Sequence, residues 1–303
     1  MIHRDTDMFR RAVTVALVFS LVLGLCSCTQ SKPRPQSLIT DVVETKDNTY
    51  ECQFKDKRFR FMLYLPEKTD SNTPLILMLC GMGQNSPGFR NKTHMDEDAC
   101  PRGYAVCYTQ PALGNGGWGW DVGFYEPQGA DSLDYLINLA IYLQDEYGLS
   151  KTKAFAAGFS NGGFMIHRIA MEAPDTFLAV ASVAGMMTAK VWDERSDKTS
   201  IGFLEIYGTK DNVVPQNGNG TASASPYPAI EVVMDYWASA NGLGSSSVEA
   251  LSDKAELTKY SALFNKTQVW SVKIEDGAHE WPSEEKAGFN TNELILDYFD
   301  MFC

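Results

Sequence analysis

The run Gly158-Phe-Ser-Asn-Gly-Gly163 constrains this chain more than any other stretch. It follows a short, mostly apolar segment, Lys153 to Ala157, and precedes Phe164 to Glu172, which has the spacing of a helix. A serine held at the tip of a sharp strand-to-helix turn needs residues with almost no side chain two places before and two places after it. Gly158 and Gly162 occupy those places, so Ser160 is expected at the tip as a nucleophile. The Asn161 N–H, at the positive end of the following helix, is then an expected donor to an oxyanion. The same letters also spell an ordinary glycine-rich turn, so the partners of the serine carry the argument.

A serine hydroxyl is a poor nucleophile until a base takes its proton. The chain has four histidines. His3 lies in the N-terminal segment. His94 precedes the serine, against the Ser, Asp, His order of this type of corner. His167 is seven residues past Ser160 on the same helix, roughly 10 Å along its axis, and is expected to pack against a neighbour. That leaves His279 as the base, in a loop just past the apolar strand Val269 to Glu275, where sheets covered by helices place their sites. The acid that orients the imidazole is expected to be Asp211. Alone among the aspartates between Ser160 and His279, it closely follows both an apolar strand, Gly202 to Tyr207, and a glycine turn at Gly208. Glu205 is mid-strand, and Asp276 is too close to His279 in sequence for the usual geometry. A second oxyanion donor is expected in the loop after the apolar run Pro74 to Cys80, with the Met82 N–H as the candidate.

The rest of the chain frames these residues. Tyr50 to Phe54 and Arg58 to Leu65 read as a strand pair, the second alternating apolar and polar. Pro74 to Cys80, Gly103 to Gln110 and Leu178 to Ala184 are continuous apolar runs, the mark of strands buried on both faces. Ala130 to Tyr147, Tyr227 to Asn241 and Asn290 to Phe302 have helical spacing. Strands alternating with helices predict one α/β domain, residues 49–303, with a mostly parallel sheet covered on both faces.

Ahead of it, a charged start and an apolar run from Ala12 to Leu25, too short for a comfortable membrane span, read as a signal segment, 1–27. Leu25-Cys-Ser-Cys28 resembles a bacterial lipoprotein processing box, with Cys28 the lipidated residue, and 28–48 is expected to be a flexible tether. Past the signal segment, 23 Lys+Arg stand against 36 Asp+Glu. That excess argues against nucleic acid and against an anionic membrane surface as partners. Export permits disulfides. Cys100–Cys107 and Cys52–Cys303 are the pairs considered, and sequence does not decide between them.

Four segments together carry a resemblance: Tyr64 to Leu79, Gly158 to Gly163, the Gly-Thr-x-Asp-x-x-Val-Pro run at 208–215, and Gly-x-His-x-Trp-Pro at 277–282. From Arg58 onward the chain resembles secreted α/β-hydrolase esterases of the polyhydroxybutyrate-depolymerase-like and feruloyl-esterase group, related to family 1 carbohydrate esterases. It departs from the group at Cys80-Gly81, where histidine commonly precedes the glycine. The resemblance implies a lipid-anchored serine carboxylesterase with no metal or organic cofactor, acting on feruloyl or acetyl esters of polysaccharide. Trp118, Trp120 and Trp281, with Phe124 and Tyr125, are the candidate aromatic contacts to substrate, with core packing the alternative, an equal one for Trp118 and Trp120. Alternatives are a polyester depolymerase, an acyltransferase, a peptidase, though with no separate gating domain, and a non-catalytic surface-binding protein on a hydrolase frame. The intact Ser160, Asp211 and His279 set argues against the last.

Overall fold

A computed structural model describes residues 34–112, 119–123, 131–196, 199–218, 227–263 and 265–303. In chain order the strands are β1 (Ile39–Lys46), β2 (Thr49–Phe54), β3 (Lys57–Tyr64), β4 (Leu75–Leu79), β5 (Ala105–Thr109), β6 (Ala154–Phe159), β7 (Ala179–Val183), β8 (Gly202–Gly208), β9 (Ser245–Ala250), β10 (Ala255–Ala262) and β11 (Asn265–Ile274). The helices are α1 (Ser86–Thr93), α2 (Met95–Ala99), α3 (Ser132–Glu146), α4 (Asn161–Glu172), α5 (Ala189–Asp193), α6 (Ile230–Ala240), α7 (Glu284–Ala287) and α8 (Thr291–Asp300).

All the strands join one sheet in the order β1-β2-β3-β5-β4-β6-β7-β8-β11-β10-β9. Its centre, from β5 through β11, is parallel. Antiparallel strands close both edges, β1-β2-β3 on one side and β10-β9 on the other. The predicted α/β architecture with a mostly parallel sheet is therefore present.

The continuous apolar runs have the expected cause. On β4, Leu75, Leu77 and Leu79 enter one hydrophobic cluster with α3, α4 and α6, while Ile76 and Met78 enter another with α1, α2 and α8. A strand that is buried on both faces has no position left for a polar residue. On β6 the side chains facing α4 are small, Ala154 and Ala156, and those on the other face include Phe155 and Phe159. That asymmetry lets α4 approach the sheet closely, which the corner after β6 requires.

One expectation is corrected here, and one question that the sequence left open is closed. The tether does not run to Asn48, because β1 pairs antiparallel with β2 from Ile39 to Lys46. Ser37 is already tied to α3, its hydroxyl donating to the Asn138 carbonyl at 2.8 Å. Apart from Val43, the exposed side chains of β1 are polar, so its composition matched a linker although its backbone completes a sheet edge. The disulfide pairs are also not formed: Cys52, Cys80, Cys100, Cys107 and Cys303 are all free thiols. Burial pushes the Cys52, Cys80 and Cys100 thiols up to about 12, so they are protonated and unreactive. Cys28 and the signal segment lie outside the described residues. No helix among the described residues is long and apolar enough to cross a membrane.

Candidate active site

The site gathers at the carboxyl ends of four central parallel strands. Ser160 follows β6 and is the residue just before α4. Its backbone sits at φ 54°, ψ −118°, a strained conformation for a residue with a Cβ. Two close approaches keep it there. A Cβ at Gly158 would lie 2.4 Å from the Gly162 carbonyl oxygen, and one at Gly162 would lie 2.1 Å from the Leu79 carbonyl oxygen. The corner therefore closes only with glycine at both places, the reason for the spacing in the sequence. The Ser160 N–H is held by the Val183 carbonyl at 2.9 Å.

His279, past β11, brings its Nε2 to 2.8 Å from Ser160 Oγ and its Nδ1 to 2.7 Å from Asp211 Oδ2. A carboxylate only accepts, so Nδ1–H donates to Asp211 and Nε2 is left to accept the serine proton. The second carboxylate oxygen, Oδ1, accepts the Val213 and Val214 N–H groups at 2.8 and 2.7 Å, which fixes the acid in its turn. The acid loop and the histidine loop are braced against each other. The Lys210 N–H donates to the Gly277 carbonyl at 2.9 Å, and a Cβ at Gly208 would lie 2.2 Å from that same oxygen. The structure thus brings together Ser160, Asp211 and His279, which stand far apart in the chain. The other histidines lie elsewhere: His94 is exposed beside Glu97, and His167 is buried.

The loop carrying Met82 is ordered by a residue the sequence reading passed over. The Gln84 carboxamide Oε1 accepts the Gly81 N–H at 2.9 Å while the Gln84 N–H closes a turn on the Gly81 carbonyl at 3.1 Å. That turn leaves Met82 at its exposed tip, 48% accessible. Nothing in the pattern Gly-Met-Gly-Gln-Asn separates a loop brace from a solvated glutamine. As the first residue of α4, Asn161 has no carbonyl of its own helix for its N–H.

Two aromatic assignments are corrected. Trp120 is 4% exposed, and its indole N–H donates to the Cys80 carbonyl at 2.9 Å. Its backbone N–H donates to the Asn161 side-chain oxygen at 2.6 Å. Trp120 therefore ties the aromatic-rich segment to the nucleophile corner and presents no face to a substrate. Trp281 is 8% exposed, packs edge-on against Phe89, and donates from Nε1 to Asn292 at 3.1 Å. Both indoles have the burial and the satisfied N–H of core residues. Trp118, Phe124 and Tyr125 lie outside the described residues. Arg168 of α4 anchors the same segment, donating to the Asp121 carbonyl at 2.8 Å and to Asp131 at 3.0 Å.

Under the corner lies a buried acid–histidine pair. Trp237 Nε1–H donates to His167 Nδ1 at 3.4 Å, so the ring proton sits on Nε2, 3.1 Å from Glu205 Oε2. The Ser182 hydroxyl donates to the other Glu205 oxygen at 3.1 Å. Burial holds His167 down at about 3 and pushes the Glu205 carboxyl well above the usual range, against the pull of Ser182 and the Gly185 N–H. The stability tied to a raised carboxyl is fully present below its unfolded value and is lost as pH rises through its folded value. The His167 contribution has the opposite slope and is common to the native chain and Glu205→Gln. The stability of the native chain minus that of Glu205→Gln is therefore expected to fall as pH rises above the ordinary carboxylate range, as read by urea unfolding. A flat difference would mean that Glu205 is not held protonated.

Comparison with known proteins agrees with this frame. Residues 96–238 match the model of the prolyl oligopeptidase family. Feruloyl esterase B of Thermothelomyces thermophilus is 27% identical over 153 residues, 49% of this chain and 49% of that protein. A bifunctional acetylxylan esterase/xylanase of Neocallimastix patriciarum is 25% identical over 152 residues, 50% of this chain and 21% of that protein. The chain thus spans about a fifth to about half of the length of these two relatives. The solved acetyl xylan esterase from Aspergillus awamori superposes with a TM-score of 0.61 at 16% identity, covering 86% of this chain and 98% of that one. The chain has an α/β-hydrolase-like fold, and in sequence it is similar to feruloyl and acetylxylan esterases.

Proposed function

We propose that this chain is a serine carboxylesterase acting on carbohydrate-linked esters, feruloyl or acetyl, and held at a bacterial cell surface through Cys28. The observation that carries the reaction is the hydrogen-bonded line from Ser160 Oγ through both nitrogens of His279 to Asp211. Ser160 attacks the ester carbonyl as His279 Nε2 takes its proton. Asp211, acting on Nδ1, orients the ring and stabilises the imidazolium. The Met82 and Asn161 N–H groups hold the tetrahedral oxyanion, whose collapse expels the alcohol as His279 returns the proton to it. Water, activated by the same imidazole, then cleaves the acyl-enzyme. Every step uses groups of this chain and water.

The substrate class is supported by the feruloyl and acetylxylan esterases to which the chain is similar. The test is to incubate the protein with an organophosphonate that reacts with activated serines, digest it, and locate the adduct. The expected site is the peptide carrying Ser160, with methyl ferulate and p-nitrophenyl acetate both hydrolysed before labelling and neither after. An adduct elsewhere, or labelling without loss of hydrolysis, would overturn the mechanism. Turnover of the acetate alone would remove the feruloyl part of the reading and favour a deacetylase or a polyester enzyme.

A further inference from the structure

Lys92, near the end of α1, has no part in the chemistry above and yet lies beside it. Its ammonium stands 3.6 Å from the centre of the Phe159 ring. Phe159 directly precedes Ser160, and its ring centroid is 5.1 Å from that of His279. One aromatic ring is therefore shared by a cation and the imidazole. The same ring meets the oxyanion loop, since a Cβ at Gly81 would lie 3.3 Å from Phe159 Cδ1.

The cations around Lys92 are neutralised: Arg90 by Asp96 and Glu97, and Lys286 by Glu280. Lys92 has no ion-pair partner among the described residues, in a chain with 38 acidic against 26 basic side chains. Its side chain is exposed, but the ring beneath it and its neighbours displace part of the water from the ammonium. That desolvation lowers its pKa, with Glu280 opposing the shift and Lys286 adding to it. The ring face also holds the cation in one place, so an incoming anion meets a charge already oriented and partly dry.

We propose that Lys92 selects esters whose leaving alcohol carries a carboxylate, the carboxylate pairing with the ammonium. This rests on the esterase reading. The alcohol side follows from the chemistry, because His279 delivers its proton to the leaving oxygen and the Phe159 ring lies against both His279 and Lys92. A single carboxylate fits better than a polyanion, which the net charge of −12 would repel.

The test compares two aryl acetates of one shape, 4-acetoxybenzoate and its neutral analogue 4-acetoxybenzamide, by kcat/KM. A charge-assisted hydrogen bond corresponds to about a tenfold preference. The ratio of acid to amide is expected to fall about tenfold in Lys92→Met, to fall further in Lys92→Glu, and to be retained in Lys92→Arg. An unchanged ratio, or equal slowing of both esters, would overturn the proposal. Loss of serine-dependent turnover of the amide by the native chain would instead remove the esterase reading itself.

Discussion

Ser160→Ala is expected to lower kcat/KM for p-nitrophenyl acetate by roughly four to six orders of magnitude while leaving the fold unchanged. In the proposed mechanism the substitution removes the atom that forms the acyl bond, and His279 then has no proton to take. What survives is the weak catalysis of the oxyanion donors and of binding. Stability should change by no more than about 0.5 kcal/mol. The Ser160 side chain makes no capping hydrogen bond to α4, and alanine bears the same positive φ at the same strain. Because the serine and histidine act as one unit, His279→Ala should be about as slow, and the double variant no slower than either. A Ser160→Ala protein that kept a few per cent of native activity would show that another group does the chemistry.

Gly162→Ala is expected to cost about 3 kcal/mol or more and to abolish serine reactivity together with it. The added methyl group would lie 2.1 Å from the Leu79 carbonyl oxygen and 2.9 Å from that of Cys80. Both are backbone atoms of the central strand or the loop it feeds, so neither can turn aside as a side-chain tip would. Either α4 lifts off the sheet, which moves Ser160 from His279, or β4 shifts, which moves the loop of Met82. Gly244→Ala is the control: a Cβ there meets nothing within 4 Å, and its φ is not positive. Its expected effect is a neutral or slightly stabilising change, up to about 1 kcal/mol. Urea unfolding of both variants measures the contrast. Equal midpoints would show that the corner has slack that the close approach denies.

The two substitutions differ in how far the sequence alone could have predicted them. The glycine spacing around Ser160 was legible because the corner admits no other residue, so the physical demand is written directly in composition. The histidine was legible by elimination among four, and Asp211 by its place after an apolar strand and a glycine. The buried strands were legible because burial on both faces excludes polar side chains at every position. β1 was not, since an edge strand with an outer face in solvent has the polar composition of a linker and is made a strand only by the partner beside it. β9, exposed throughout, was missed for the same reason.

The roles of Trp120, Trp281 and Lys92 follow from neighbours distant in the chain. An indole reads alike whether it faces a sugar or the core. The packing around Trp120 and Trp281 buried both and satisfied their N–H groups. Likewise only the folded chain sets the Lys92 ammonium on Phe159 beside His279. By itself the sequence determined the α/β frame, the glycine-flanked serine corner and the side chains that meet there, because each obeys a local rule of spacing or of composition. The tertiary structure alone decided where the domain begins, which thiols stay apart, which aromatics are core and which cation stands by the site. Those depend on what the sheet order brings into contact, and that order is not written in any one segment.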